Sequence, residues 1–205
     1  MHCPFCHAPA SETQLQCGAC GFTLERVDLF FGVMPRLHPG LCDVAPLFGP
    51  RDCRMIRRAI NRLADSFPQV GFSIVTTSLD VDQPISAYAF WIFNRGGVCR
   101  ELQRGGRNHD ILLTLDATNA RAALIIGYGL EPFVSAAHLQ RTLEAGSADF
   151  AAKRWVDGVI AVVQASGAML TEVCAQLPRA FGIDMESVRR EEDPALTKAQ
   201  LAGVY

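Results

Sequence analysis

Four cysteines near the start of the chain form two CxxC pairs, Cys3 with Cys6 and Cys17 with Cys20. Two residues between thiolates allow both sulfur atoms to face one ion while the backbone makes a tight turn. Four thiolates at the corners of a tetrahedron select zinc. The alternatives are an iron–sulfur cluster or a redox CxxC, but a redox motif is expected once, beside a strand–helix unit. The sequence therefore predicts a structural zinc ribbon.

A second set of reactive side chains surrounds two apolar segments, DILLTLD at 110–116 and RAALIIGYG at 121–129. The polar ATNA between them predicts an antiparallel hairpin. In such a hairpin the start of the first strand lies beside the end of the second. One sheet edge is therefore expected to hold Asn108, His109, Asp110, Tyr128 and Glu131.

Two interpretations of that edge remain open. Carboxylates beside amide and imidazole groups can bind a hard cation, or can act as general acid and base. The structural alternative is that Asp110 caps the start of a strand and Glu131 caps a helix starting near Pro132. A separate polar group is expected at the opposite edge of the sheet: Asp80, Asp82, Asp116 and Asn119.

The first helix of the main domain is predicted to begin at Asp52 as its N-cap. Apolar residues recur at helical spacing from Ile56 to Phe67, and five arginines take the other positions. An amphipathic helix of this kind usually turns its charged side to water. We therefore expect the arginines to form a solvated face.

The order of the remaining elements predicts the fold class. The segment QVGFSIVTTSLD predicts a strand that reaches the 110–116 strand through a right-handed, helix-containing crossover, so the two are parallel. Two helices follow the hairpin, and the second, long and apolar, is expected to start near Ser147. Helices then cover both faces of a small mixed sheet, which is a three-layer α/β/α sandwich.

A glycine-rich basic loop, GGVCRELQRGGRN, follows the crossover helix. Its backbone N–H groups and guanidinium groups could bind an anion. It lacks a Walker pattern, and a flexible surface loop is the simpler interpretation. The candidate anion ligands are Arg100, Arg104 and Arg107.

Composition favours a soluble globular chain, since the 205 residues are 49% hydrophobic and carry a formal charge of −2. That charge argues against a nucleic-acid partner. The N-terminal residues lack the basic segment followed by an apolar segment that is typical of a signal peptide. The apolar run 158–170 is shorter than the roughly 20 residues of a membrane span. We expect a cytoplasmic protein in a reducing compartment, with a protein partner and no membrane span.

The chain is expected to divide into a ribbon at 1–25, a connector at 26–42, a main domain at 43–170 and a C-terminal extension at 171–205. The connector is predicted to lie on the domain surface, because a solvated linker would not carry so many large apolar residues. If they were exposed instead, they would form a contact patch. The residues concerned are Leu29, Phe30, Phe31, Val33 and Met34.

From about Asp43 to Met169 the sequence resembles the TPM domain family. The resemblance rests on DVAPLF before the first helix, on HDILLTLD and above all on IIGYGLEPF, and it extends to GSADFAAKRWVDGVIAVV. It implies an α/β/α sandwich. It also implies calcium binding in some members and phosphatase activity in some.

Carried over residue by residue, the resemblance matches Asp43 to the family's opening Asp and Glu131 to the Glu of GYGLE. The family's usual DNGVLL reads NHDILL here, so Asn108 stands in place of an Asp, His109 in place of an Asn and Asp110 in place of a Gly. We expect a zinc-ribbon TPM protein that binds a ligand or partner without robust catalysis, with at most weak calcium or magnesium. The alternative is a metal-dependent phosphatase that uses Asp43, Asp110 and Glu131.

Overall fold

The computed structural model describes residues 3–9, 14–98 and 108–180. Within them the strands form one four-stranded sheet in the order β1-β2-β3-β4, in which β1, β2 and β3 are parallel and β4 is antiparallel to β3. The elements along the chain are α1 (Leu24–Phe31), β1 (Leu41–Asp43), α2 (Pro50–Ser66), β2 (Gly71–Thr77), α3 (Ile85–Arg95), β3 (Asp110–Asp116), β4 (Arg121–Ile126), α4 (Ala136–Ala151) and α5 (Trp155–Ala180). The predicted hairpin and parallel crossover are confirmed.

Strands β2 and β3 are buried at every residue. Successive side chains of a strand point to opposite faces, so complete burial means that both faces of the sheet are covered. One face carries Val75 and Leu112 and packs against Trp91 and Ile92 of α3. Helices α2 and α4 contact the sheet but contribute nothing to this cluster, so they cover the other face. The three-layer sandwich is confirmed.

The sequence did not predict two of these elements. Helix α1 begins at the end of the predicted ribbon and continues into the predicted connector, with Thr23 as its N-cap and Gly32, at a φ of 75°, as its C-cap. Strand β1 has three residues, too few to give a periodic signal, and it pairs along the free side of β2. Together they add a helix that packs on α3 and an edge strand to the predicted core.

The connector's apolar residues divide between the core and the surface. Phe31 and Met34 pack against the buried cluster that contains Trp91. Leu29 and Val33 are 86% and 94% exposed. The expectation that the connector packs on the domain therefore holds for one side of α1 only.

The cap of α2 differs from the prediction. Its N-cap is Gly49, and Asp52 lies three residues into the helix, where its carboxylate accepts the N–H of Gly49 at 3.0 Å. This is the backward hydrogen bond of a capping box. The aspartate therefore stabilises the helix start from inside the first turn.

The predicted start of the long helix at Ser147 is also wrong. Ser147 lies within α4, and its hydroxyl donates to the C=O of Glu144 at 2.9 Å. The chain turns at Lys153, which has a φ of 56°, and α5 begins at Trp155. The N-cap of α4 is Ser135, so no helix starts at Pro132 for Glu131 to cap.

Two glycines allow α4 and α5 to pack closely. A Cβ atom at Gly146 would lie 2.6 Å from the carbonyl oxygen of Gly158. A Cβ atom at Gly158 would lie 2.5 Å from the ring of Phe150. Real Cβ atoms do not approach other atoms so closely, because cores are close-packed. The close packing of α4 against α5 therefore requires glycine at both positions.

Helix α5 is longer than its apolar run suggested. Its segment Trp155–Gln176 is the one helix in the described part of the chain long and apolar enough to cross a membrane, with a mean hydropathy of 1.5. The length argument against a span was therefore wrong. The core helix of a folded domain passes the same test, and Val159, Val162 and Val163 are buried here.

Candidate functional site

The four N-terminal cysteines come together as the spacing predicts. Their sulfur atoms lie within 4.8 Å of one another, and the Cys3–Cys20 and Cys6–Cys17 Sγ distances are both 3.7 Å. A tetrahedron with sulfur about 2.3 Å from its centre has edges of about 3.8 Å, so these distances match tetrahedral thiolate coordination. The four residues can therefore hold one metal ion.

The same backbone turn presents each cysteine pair. The C=O of Cys3 accepts the N–H of His7 at 2.9 Å, and the C=O of Cys17 accepts the N–H of Gly21 at 2.8 Å. Both His7 (φ 59°) and Gly21 (φ 67°) have left-handed backbones. Glycine suits that conformation, whereas His7 adopts it despite its side chain. The ribbon is thus built from two equivalent knuckles.

The thiols of the ribbon differ in acidity. The backbone N–H groups of Cys20 and Ala19 lower the pKa of Cys17 to about 6. Burial and the neighbouring Cys6 thiol raise the pKa of Cys20 to about 12. Metal ligands must be thiolates, so a bound cation would have to displace the proton of Cys20. Binding should therefore release protons and weaken as the pH falls.

The ribbon is docked on α3. The hydroxyl of Ser86 donates to the C=O of Pro4 at 2.6 Å, and the rings of Phe22 and Phe90 make an edge-on contact with centroids 5.8 Å apart. Phe5 contacts the rings of Phe22 and Phe30. These contacts tie the metal-binding turns to a helix of the main domain.

Helix α1 strengthens this attachment. The guanidinium of Arg26 donates to the C=O groups of Cys20 and Gly21 at 3.3 and 3.0 Å. Asp28 accepts the indole N–H of Trp91 at 2.6 Å. A small half-open cavity of about 90 Å³ remains between ribbon and helix, lined by Phe5, Cys20, Phe22, Arg26, Val27 and Phe30.

The hairpin places the second set of candidates as predicted, at the end of the sheet where β2 and β3 begin, which we call the amino edge. The C=O groups of Asp110 and Asn108 accept the N–H groups of Gly127 and Gly129 at 2.9 and 2.8 Å. Tyr128, 61% exposed, lies between these glycines.

Three polar side chains of the amino edge each rest on a glycine. The carboxyl group of Asp110 lies over Gly71, its neighbour on β2, and a Cβ atom there would overlap it. Asn108 lies over Gly127 and His109 over Gly129 in the same way. This explains the glycines that flank Tyr128, because any larger residue would collide with the segment that enters β3.

The amino edge is not a preformed metal cage. Asp110 is 3% exposed, while Glu131 is exposed in the turn that follows β4. Among the described residues, the cysteines are the one group of three or more His, Cys, Asp or Glu side chains with closely spaced ligand atoms. The edge therefore brings acid, amide and imidazole groups to one end of the sheet without the closely spaced ligand atoms of a metal cage.

The structure does not bring Asp43 to this edge. Asp43 pairs with Thr76 near the other end of the parallel strands, which we call the carboxyl edge. Its carboxylate accepts the N–H groups of Leu47 and Phe48 at 3.0 Å and the hydroxyl of Thr76 at 2.7 Å. Asp43 therefore orders the loop into α2, and a site that joins it to Asp110 and Glu131 is ruled out by the topology.

Asp116 is the centre of a network to which sequence reasoning gave no role. It is fully buried and accepts Arg121 Nε–H and Nη2–H at 2.9 and 2.7 Å and the amide of Asn119 at 2.8 Å. Burial raises the pKa of Asp116, but the hydrogen bonds from Asn119 and Arg121 outweigh it and hold the pKa below its usual range. The clue in the sequence was the clustering of Asp, Asn and Arg around one turn.

The candidate anion ligands Arg100, Arg104 and Arg107 lie outside the described residues. The anion site therefore stays a prediction.

Comparison with known proteins gives a family and a fold. A family model described as the TPM domain matches residues 41–169. The solution structure of the N-terminal domain of a Porphyromonas gingivalis (P.gingivalis) protein is 23% identical, covering 63% of this chain and 80% of that one with a TM-score of 0.53. The BA42 protein of the psychrophilic bacterium Bizionia argentinensis is 12% identical, covering 62% and 83% with a TM-score of 0.52. No curated protein matches the sequence.

Proposed function

The chain belongs to the TPM domain family, and from this premise we propose that it is a cytoplasmic ligand- or protein-binding module without robust catalysis, whose N-terminal ribbon holds a structural zinc ion. The observation that carries the proposal is the composition of the amino edge. It holds one buried carboxyl group, Asp110, beside an amide and an imidazole, while Asp43 is committed elsewhere.

Weak cation binding is the expected property of such an edge. Hard cations need several oxygen ligands, and their affinity rises with the number of charged ligands. Asn108 supplies an amide oxygen where the family has a carboxylate, and that oxygen already accepts the N–H of Asp110 at 3.0 Å. We expect calcium or magnesium to bind with a Kd on the order of 10⁻⁴ to 10⁻³ M.

The test is the melting temperature of the protein in calcium and in magnesium, because a ligand that prefers the folded state stabilises it. Asn108→Asp should enlarge the calcium-dependent rise in Tm, since it restores one charge. Asn61→Asp, the same change at an exposed position of α2, is the control and should not respond to calcium. If Asn108→Asp responds no better than the unmodified protein, the amino edge is not a cation site.

The alternative function is a metal-dependent phosphatase, favoured by the presence of Asp110, His109 and Glu131 at one edge. General acid and base groups and a metal ion could together activate a water molecule. We expect turnover of an aryl phosphate to be absent or very slow with calcium, magnesium or manganese. Robust turnover that Glu131→Gln abolishes while the fold is kept would establish the enzyme instead.

The choice of zinc rests on the four thiolates and the 3.7 Å sulfur separations, which suit a tetrahedral ion. Metal analysis should find about one zinc ion per chain. Cys17→Ser should release it and loosen the first 25 residues, while the sandwich keeps its own core and stays folded. Because Ser86 and Phe90 hold the ribbon on α3, limited proteolysis should then cleave the N-terminal residues and leave the sandwich intact. Zinc-free protein whose N-terminal residues resist proteolysis as before would contradict this role.

A protein partner and a reducing compartment are also part of the proposal. Leu29 and Val33, 86% and 94% exposed beside the ribbon, support a protein-contact role. The four ribbon cysteines are free thiols, which metal binding requires and a reducing compartment maintains.

A further inference from the structure

Helix α2 presents an arginine face to the solvent. Its apolar residues Ile56, Ile60 and Leu63 are buried. The exposed positions hold five arginines and no lysine: Arg51, Arg54, Arg57, Arg58 and Arg62. Because the buried side already anchors the helix, the fold does not require the arginines.

Within the part of the chain that the structure describes, no acidic side chain neutralises these charges. Elsewhere, arginines pair with acids: Arg121 with Asp116 at 2.7 Å and Arg95 with Asp28 at 3.4 Å. Within the described residues, none of the five arginines of α2 has an ion pair. Like charges three or four positions apart on a helix repel each other. The face therefore keeps a repulsion that an external anion would relieve.

The charge of the chain is unevenly distributed. The five arginines and the two aspartates of α2 give it a formal charge of +3, while the whole chain carries −2. The rest of the chain therefore carries −5. A long polyanion would meet repulsion beyond the helix, whereas a short acidic segment would not.

The arginines are arranged for a linear ligand. Arg51, Arg54, Arg58 and Arg62 follow steps of three and four residues, so they form one line of about 16 Å along the helix. In an extended peptide, alternate side chains lie on one side about 6.6 Å apart. Three carboxylates at alternate positions would span about 13 Å and meet this line, with each guanidinium able to bind a carboxylate in bidentate fashion.

We propose that the arginine face of α2 is the docking surface for an acidic segment of a partner protein, with carboxylates at alternate positions. Met55, 37% exposed among the arginines, receives an aliphatic side chain of that segment. Helix α2 contains no aromatic residue on which a nucleic-acid base could stack. Ile56, Ile60 and Leu63 face the core and Met55 is a single exposed apolar residue, so no apolar side remains to enter a membrane.

The test uses the full chain and a fluorescent ten-residue peptide of alternating Glu and Ala, followed by anisotropy at 50 and 150 mM salt. The double variant Arg54→Gln/Arg58→Gln should bind at least tenfold more weakly than the unmodified protein. The control Arg36→Gln/Lys153→Gln removes the same charge at exposed positions outside α2 and should change binding less than twofold. If the first variant does not fold, Arg57→Gln/Arg62→Gln replaces it.

Three outcomes would overturn the proposal. One is equal binding of the peptide by the α2 and control variants. The second is tighter binding of a ten-nucleotide thymidine strand or of phosphatidylglycerol vesicles than of the peptide, which would assign the face to another class of partner. The third is no binding of the peptide at 50 mM salt.

Discussion

The two edges of the sheet hold similar polar residues, but the surroundings of their side chains differ. At the carboxyl edge, Asp43 and Asp116 each accept three or more hydrogen bonds from neighbouring loops and strands. At the amino edge, Asn108, His109 and Asp110 lie on glycines, which leave room for them. Asp43 and Asp116 therefore fix the segments around the carboxyl edge, whereas the side chains of the amino edge pack on backbone where only glycine leaves them room.

This difference reverses a common expectation for α/β folds. Ligands usually bind beyond the carboxyl ends of parallel strands. Here that end is filled by the protein's own side chains, since Arg121 also donates to the C=O of Asp80 and Asn119 to that of Leu79. The candidate site therefore lies at the amino edge, next to the antiparallel partner β4.

Removing Asp116 should have the largest effect on stability. Asp116→Ala leaves Arg121 and the amide of Asn119 without their buried partner, a loss of about 3–5 kcal/mol in the free energy of unfolding. Urea denaturation at pH 7 would measure it, and Asp80→Ala is an exposed control at the same edge that should cost little. A loss below 1 kcal/mol would mean that Asp116 does not hold this edge.

The same residue should set part of the acid sensitivity. The pKa of Asp116 is lower in the folded protein than the roughly 3.9 of an unfolded aspartate. Its contribution to stability is therefore complete above about pH 4 and is lost as the pH falls through the lower folded value. Asp116→Asn should make stability fall less steeply in that acid range. An unchanged acid profile would contradict the depressed pKa.

A double-mutant cycle tests whether Asp110 at the amino edge packs directly on Gly71. Gly71→Ala places a methyl group on the carboxyl group of Asp110 and should cost about 1–3 kcal/mol, as overpacking does. In an Asp110→Gly background, which has the residue that the family motif carries, the same change should cost much less. Equal costs in the two backgrounds would show that Asp110 does not occupy the space above Gly71.

The sequence was sufficient where the signal is local. The cysteine spacing predicted that the four ribbon sulfur atoms come together, and two apolar segments around ATNA predicted the hairpin and the residues of the amino edge. Asp43 was assigned to the wrong edge, because its position depends on the three-residue strand β1 and on pairing with Thr76. The packing of Asp110 against Gly71 depends on the register of two parallel strands that are far apart in sequence.

The smallest expected effect lies between the two edges, at Thr114 in the middle of β3. Thr114 is fully buried beside Val75 and Ala123, and its hydroxyl has no hydrogen-bond partner within the described structure. A buried hydroxyl without a partner is costly, so Thr114→Val should stabilise the protein by about 1 kcal/mol.

The matched control is Thr76→Val on β2, also fully buried, whose hydroxyl donates to Asp43 and accepts the N–H of Ala45. That change should destabilise by about 1–3 kcal/mol, because two groups of the carboxyl edge lose their partner. Chemical denaturation of both variants measures the opposite signs, and destabilisation by both would show that Thr114 has a partner of its own.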